Sequence, residues 1–263
     1  MEVAVAALNA DIGGGPSEVE SPCCLCYDPD SDPLTMGCGH VFCLGCMTAL
    51  LEGRWYGRSG ARISFGFMGC PMCQSDISGH PVLDTLMAPL VTLREKVHRM
   101  ATMRQQMEHG SGSVSDAIRE YAYYQCHRCA EPYYGGAVEC AAGSETEYNQ
   151  DDLTCPRCTR LQSPTSLPDT CSSHGTDYIQ WKCRYCCSMA VFFCFGTTHF
   201  CVECHNNYSK CQAAEKAGTL PPCPAGPVLN GLAGECPLGC AHPPTGSEFC
   251  MGCAECRLKE EDY

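Results

Sequence analysis

The sequence lacks any apolar run approaching the ~18–20 residues that cross a bilayer as a helix. Its longest apolar stretch, MAVFFCFGTTHF, is short and followed by polar residues. Positive charge is also scarce. Lys and Arg number 17 against 30 Asp and Glu, for a formal net charge of −13. A protein that holds nucleic acid through its phosphates needs a basic face to release counterions, so nucleic-acid binding is not expected. Thiolate ligands would not make the folded form more basic, because a bound metal offsets their charge only in part. A basic leader is missing as well: Glu2 stands where a secretory signal carries positive charge, and MEVAVAALNADIGGG has no clear cleavage pattern. The expectation is an intracellular protein, cytoplasmic or nuclear, that does not insert into a membrane.

Cysteine, by contrast, is abundant, with 27 residues in a chain of 263. That density means either a disulfide scaffold or a protein that binds several metals. Reduced intracellular thiols favour zinc. The spacing agrees. Twenty-seven scattered cysteines would give about three C-x-x-C pairs by chance, whereas nine are present, and this spacing places two thiolates on one tetrahedral ion.

Residues 1–20 are glycine- and acid-rich with little to bury and read as a disordered tail. A cysteine-rich block follows at 21–80. A helical linker is expected over 81–115, where Leu83, Leu86, Leu90, Leu93, Val97, Met100, Met103 and Met107 recur at helical spacing. The expected helix is bent near Pro89 and packs against a neighbouring module, since no sustained heptads mark a dimer seam. HGSGSVS then reads as a flexible link. A second cysteine-rich block spans 116–257, and 258–263 form a short tail. With many Gly and Pro and few periodic runs, the second block must be held by metal more than by an apolar core. The fold class expected is therefore small, zinc-stabilised and irregular α+β, with short helices and small hairpins.

The first block reads Cys23-x-x-Cys26, Cys38-x-His40, Cys43-x-x-Cys46 and Cys70-x-x-Cys73, enough for two closed four-ligand sites. Seven cysteines with histidine in fourth place resemble the RING finger of ubiquitin ligases. The resemblance implies a cross-brace, grouping Cys23, Cys26, Cys43 and Cys46 against Cys38, His40, Cys70 and Cys73. Cys24 is surplus and could compete with Cys23. It also implies that Leu25 and Pro71 grip a ubiquitin-conjugating enzyme. Many RING ligases place Lys or Arg after the last ligand. Here that residue is Gln74, which donates hydrogen bonds without the charge and fork of Arg. The plainer alternative is that these sites only hold a fold.

The second block offers Cys126, Cys129, Cys155, Cys158, Cys171, His174, Cys183, Cys186, Cys201, Cys204, Cys253 and Cys256 at pair spacing. Single candidates are His199, Cys223, Cys236 and His242. These would fill about four zinc sites, about six with the first block, although spacing does not say which ligands share an ion. Cys140, Cys187, Cys194, Cys211, Cys240 and Cys250 remain over. A buried small hydrophobe is the ordinary role for such a thiol. Cys140, however, lies in the Gly- and acid-rich GGAVECAAGSETEYNQDD, an expected exposed loop, and Cys194 sits among aromatics beside zinc-binding segments.

HGTDYIQWKCRYCC, AVFFCFGTTHFC, CPAGP and HPPTG, together with SFGFMGCPMC and YYGGAVEC in the earlier part, resemble the RING and tandem-cysteine module of the RING-Cys-relay ubiquitin ligases, the Highwire/Pam/Phr family. Its members are very long chains, so regulatory and substrate-recruiting regions are absent from these 263 residues. The resemblance implies that ubiquitin passes from a loaded conjugating enzyme to Cys140, then to Cys194, and then to a Thr or Ser hydroxyl of a protein substrate. It further implies His205 as general base and a supporting carboxylate at Asp152, where the family has Glu. Phe195, Phe200 and Tyr208 would surround the acceptor's methyl group, the third being Phe in the family. Spacing alone allows His205 to be another zinc ligand and the aromatics to be ordinary packing. A direct RING ligase with a structural second domain, and a non-catalytic zinc adaptor, are the competing expectations.

Overall fold

The computed structural model describes residues 23–28, 32–56, 61–138, 149–162, 166–225 and 236–261. The expected N-terminal tail lies outside them. The chain divides into two compact units, one holding the sequence up to Arg54 together with Gly66–Met87, the other Trp55–Phe65 together with the chain from Ala88 onward. Residues 55–65, although inside the first cysteine block, thus fold with the second unit. Trp55 Nε1 donates to the Ala61 carbonyl at 3.2 Å, Ile63 N to the Tyr123 carbonyl at 2.8 Å, and Ala61 is buried with Ala122 and Tyr124.

In the first unit, β1 (Pro33–Thr35) pairs antiparallel with β2 (Val41–Cys43), which leads into α1 (Leu44–Gly53). Cys43 caps α1, its Sγ accepting from Cys46 N, so one ligand starts the helix that carries the next. Phe42, Met47 and Leu51 form a small core with Phe67 and Met68 from a 3-10 turn at Gly66–Met68.

The helix α2 (Asp84–His109) contains Pro89 without interruption, and the boundary between the units falls after Met87. Its buried residues are Leu83 just ahead of it, then Met87, Leu90, Leu93, Val97, Ala101 and Gln105. The C-terminal half therefore departs from the expected stripe, and Met103 and Met107 are exposed, Met107 at 76%. The reason is local. Gly112, with φ +154°, lies against the Gln105 side chain, and Arg104 stacks over the Tyr134 ring, 3.5 Å from its centroid, so polar residues fill the inward face there. The expected link shrinks to Gly110–Ser113, because Ser113 caps a further helix, α3 (Val114–Glu120).

The rest of the second unit contains three antiparallel two-stranded ribbons. β3 (Tyr121–Gln125) pairs with β4 (Pro132–Ala137). A 3-10 turn at Gln150–Asp152 and α4 (Pro156–Gln162) follow. β5 (Ile179–Lys182) pairs with β8 (Phe249–Cys253), and β6 (Phe192–Cys194) with β7 (Thr198–Phe200). Two short helices, α5 (Val202–Asn206) and α6 (Tyr208–Lys216), come after β7, and α7 (Ala254–Glu261) after β8. The helix α7 runs through most of the stretch expected as a C-terminal tail. Isolated ribbons of this kind are marginal in water, which assigns much of the stability to cross-links between them. No described helix is long and apolar enough to cross a membrane.

Candidate functional site

Cysteine and histidine side chains gather in sets of four. Two are interleaved in the first unit, Cys23, Cys26, Cys43 and Cys46, and Cys38, His40, Cys70 and Cys73. The Cys23-x-x-Cys26 and Cys70-x-x-Cys73 pairs each sit on a tight turn, with Tyr27 N donating to the Cys23 carbonyl and Gln74 N to the Cys70 carbonyl, while Cys43 and Cys46 sit at the start of α1. Cys23 is buried within its set, while Cys24 uses its N–H on the Val41 carbonyl and belongs to neither. Beside the knuckles Leu25 is 43% exposed and Met72 57%, with Pro71 half-buried between Cys70 and Met72. Gln74, at φ +62°, is exposed.

The second unit brings together Cys126, Cys129, Cys155 and Cys158; Cys171, His174, Cys253 and Cys256; and Cys183, Cys186, Cys201 and Cys204. The first of these ties the β3–β4 turn to the start of α4. The next ties the Cys171–His174 turn to the β8–α7 junction across 85 residues of sequence. A further set forms around His242, whose Nε2 lies 3.3 Å from Cys236 Sγ and 3.6 Å from Cys223 Sγ. Cys187 completes it through contacts with Cys223 and Cys236. The other nitrogen, Nδ1–H, donates to the Pro243 carbonyl at 2.8 Å, which fixes the ring and leaves Nε2 to face a metal.

These donor sets fit zinc. Four thiolates at the usual Zn–S distance of ~2.3 Å stand ~3.8 Å apart in a tetrahedron. The sulfurs of Cys26 and Cys43, and of Cys129 and Cys155, are 3.8 Å apart, and those of Cys186 and Cys204 3.7 Å.

Two sequence expectations change places here. His199 is in none of the sets described above. Its Nδ1 pairs with Glu248 Oε2 at 2.5 Å, and its ring is stacked between Trp181, 4.2 Å away, and Phe193, 4.3 Å away. It locks β7 against β5 and the segment before β8. Cys187, set aside in the sequence as surplus, takes the ligand position. Adjacency hid it, because Cys186 directly before it serves a different set.

Cys140 lies outside the described residues. Burial pushes the thiols of Cys211, Cys240 and Cys250 up, the last to about 11, which suits inert packing. Cys194 ends β6 and is 2% exposed, within a cluster containing Tyr185, Phe195, Phe200 and three ligands, Cys183, Cys201 and Cys204. It adjoins that metal set without joining it.

Two features position Cys194. The β6–β7 turn has left-handed conformations at both Phe195 (φ +61°) and Gly196 (φ +71°). This shape is uncommon for an aromatic residue and is kept where surroundings enforce it. Gly196 N donates to the Gly135 carbonyl at 2.9 Å, and the Tyr133 hydroxyl donates to the Gly196 carbonyl at 2.7 Å. The backbone of β4 also runs directly over Cys194. A Cβ on Gly136 would stand 2.9 Å from Cys194 Cα and 2.3 Å from the Phe193 carbonyl oxygen, so only glycine fits.

His205 follows Cys204 in α5 and belongs to none of these metal sets. Its ring stacks on Phe192 at 4.4 Å and meets the edge of Phe200 at 5.7 Å. Phe195 lies 4.7 Å from Tyr208 and 6.0 Å from Phe200, so the three aromatics form one cluster. Phe195 and Tyr208 also line a cleft of about 750 Å³ together with Asp152, Thr197, Thr198 and Glu248. Asp152 is exposed at the end of its 3-10 turn. Cys194, His205 and Phe200 are not among the cleft's lining residues.

Comparison with known proteins adds the following. Residues 23–73 match the family model of the C3HC4-type zinc finger, or RING finger. The chain is 42% identical over 255 residues to the E3 ubiquitin-protein ligase highwire of Drosophila melanogaster, covering 91% of this chain and 5% of that protein. It is 42% identical over 260 residues to the E3 ubiquitin-protein ligase MYCBP2 of Danio rerio, covering 91% and 6%. To the E3 ubiquitin-protein ligase TRIM47 of Homo sapiens it is 44% identical over 62 residues, 24% of this chain and 9% of that protein. The chain thus spans about a twentieth of the length of the two long relatives, and the similarity continues well beyond the RING match. With a RING finger at 23–73, paired cysteine sets in both units and 42% identity to highwire and MYCBP2 along nine-tenths of its length, the chain is similar to the RING-containing ligases of the Highwire/Pam/Phr family.

Proposed function

We propose that this chain is the transfer module of a ubiquitin ligase. In this reading it takes ubiquitin from a loaded conjugating enzyme docked at Leu25 and Pro71, passes it from Cys140 to Cys194, and esterifies it to a Thr or Ser hydroxyl of a protein substrate. The observation that carries the reading is the placement of Cys194, a thiol in none of the metal sets described above and held in place by a strained turn, an aromatic cluster and the backbone of β4. Four peptide units separate Gly136 from Cys140, a length of chain that reaches at most ~14 Å.

The chemistry balances. The Cys194 thiolate attacks the thioester carbonyl carbon; a new C–S bond forms, the bond to Cys140 breaks, and Cys140 leaves as thiolate. Such an exchange between thiols is nearly balanced. A hydroxyl is a poor nucleophile until a base takes its proton. His205 receives that proton as the oxygen attacks the Cys194 thioester, and returns it to the departing sulfur. Asp152 supports the acceptor, and Phe195, Phe200 and Tyr208 enclose its methyl group. Zinc, about six ions with two in the RING and four beyond it, supplies cross-links when bound. Its ligands are the sets described above, and it takes no part in the transfer.

The test mixes the chain with loaded conjugating enzyme and free threonine and follows hydroxylamine-sensitive products by intact mass. Transfer is expected to require both thiols, and Cys194→Ser to trap ubiquitin as an oxyester on the chain. Continued discharge to lysine with both cysteines dispensable would instead identify a direct RING ligase. Failure to consume the loaded enzyme at all would identify a zinc adaptor.

A further inference from the structure

Lys182, the last residue of β5, is 0% exposed, the one lysine among the described residues that is buried. A buried ammonium is costly unless it is paired. Its Nζ donates to the Cys183 carbonyl at 2.8 Å and faces the Arg184 carbonyl at 3.5 Å. Carbonyls satisfy its hydrogen bonds and leave its charge to be balanced elsewhere. The bridge between Lys182 and Met189 and the bond from Cys183 N to the Ser188 carbonyl at 2.8 Å fold the turn carrying Cys183, Cys186 and Cys187 back beside it; burial works against its charge, and the sulfurs of Cys187, Cys183 and Cys186, then Glu248, favour it. Lys182 in turn acts on Cys223.

Those sulfurs belong to two different metal sets. Zinc with four thiolates carries a charge of ~−2, and with three thiolates and a neutral imidazole ~−1. The Cys183, Cys186, Cys201 and Cys204 set is of the first kind, and the Cys187, Cys223, Cys236 and His242 set of the second. Both are largely buried, and they are joined through consecutive residues, Cys186 and Cys187. One cation stands where two anionic complexes approach each other.

We propose that Lys182 is a shared counter-charge for these two metal sets, coupling them so that the two zinc ions are held, and lost, together. The coupled pair sits behind Cys194, because the Cys183 set forms one wall of the cluster around that thiol. The proposal rests on zinc filling both sets.

The experiment uses the full chain purified with zinc, its metal content first measured by elemental analysis. Zinc release to a chromophoric chelator is then followed in time, and cysteine alkylation is mapped by mass spectrometry, for wild type, Lys182→Met, Lys182→Arg and, as an exposed control, Lys96→Met. In wild type, the Cys183 and Cys187 sets are expected to become alkylated in one phase, separate from the Cys126 set. In Lys182→Met both should be released at least tenfold faster, while Lys182→Arg and Lys96→Met stay within about threefold of wild type. Alkylation of one set in wild type while the other stays protected would overturn the proposal. So would a Lys182→Met variant that speeds only one set or neither, or a Lys182→Arg variant as fast as Lys182→Met. If Lys182→Met fails to fold, the wild-type map and Lys182→Arg still decide. A purified wild type without zinc in these sets would remove the reading on which the proposal rests, an outcome separate from its failure.

Discussion

The two units solve the same problem, folding with too little apolar core, in different ways. In the RING unit each metal set joins ligands from within residues 23–73, and close backbone contact is local, a Cβ on Gly69 standing 3.0 Å from the Gln74 carbonyl oxygen. A Cβ on Gly37 or Gly66 would meet nothing within 4 Å. In the second unit the sets reach across as many as 85 residues, and backbone lies directly on backbone where β4 crosses Cys194. Local cross-links suffice to present Leu25 and Pro71 on a surface. Holding a thiol in a defined place among aromatic rings needs segments distant in sequence to be fixed against one another.

Metal removal should break the comparison most severely. Structural zinc contributes on the order of 10 kcal/mol per site in small domains, far more than these ribbons contribute alone. Complete chelation is expected to abolish the cooperative melt of both units, followed by circular dichroism. A cooperative, unchanged melt after chelation would show that the core holds without metal.

Next in size is backbone crowding. Gly136→Val is expected to destabilise the second unit by about 3 kcal/mol or more, since Gly136 combines φ +112° with a contact a Cβ cannot make. Gly37→Ala in the RING unit should stay within about 0.5 kcal/mol. Denaturant midpoints, with hydrogen exchange to separate the units, would read this, and equal effects would erase the distinction.

The exchange of roles between Cys187 and His199 is sharpened by counting metal. Cys187→Ala should lower the zinc content measured by elemental analysis. His199→Gln should keep it, while lowering the melting temperature through loss of the Glu248 pair and the stacked rings. Loss of zinc from His199→Gln would restore the ligand role expected from the sequence.

The smallest effect concerns pH. Burial, with Arg94 nearby, holds the His98 imidazole of α2 below its ordinary value. The unfolded chain therefore takes up this proton first as pH falls. The neutral ring's contribution is complete above the ordinary histidine range and is lost as pH drops from there toward the lowered folded value. His98→Gln should accordingly lose less melting temperature than wild type between about pH 7.5 and 5.5, with zinc in excess so that the metal sites' own pH response cancels in the difference. Parallel curves would place His98 in ordinary solvent.

Legibility from sequence followed the range of the interaction. The helix α2 was readable because its period is local, but its inward face beyond Val97 was not. There Ala101 and Gln105 are buried while Met103 and Met107 are not, because Arg104 and Gly112 meet neighbours that periodicity does not contain. The short 3-10 turn carrying Asp152 and the crossing of Gly136 over Cys194 left no comparable signal.

What the sequence determined by itself was the set of Cys-x-x-Cys and Cys-x-x-His pairs and the need for metal in place of a core. Two cysteines three residues apart chelate through the geometry of one turn, whatever the rest of the chain does. Only the tertiary structure decided which pairs share an ion, that Cys187 and not His199 joins His242, that Lys182 is buried between two metal sets, and that β4 covers Cys194. Each of these depends on segments tens of residues apart being brought within a few ångströms, and no local spacing encodes that.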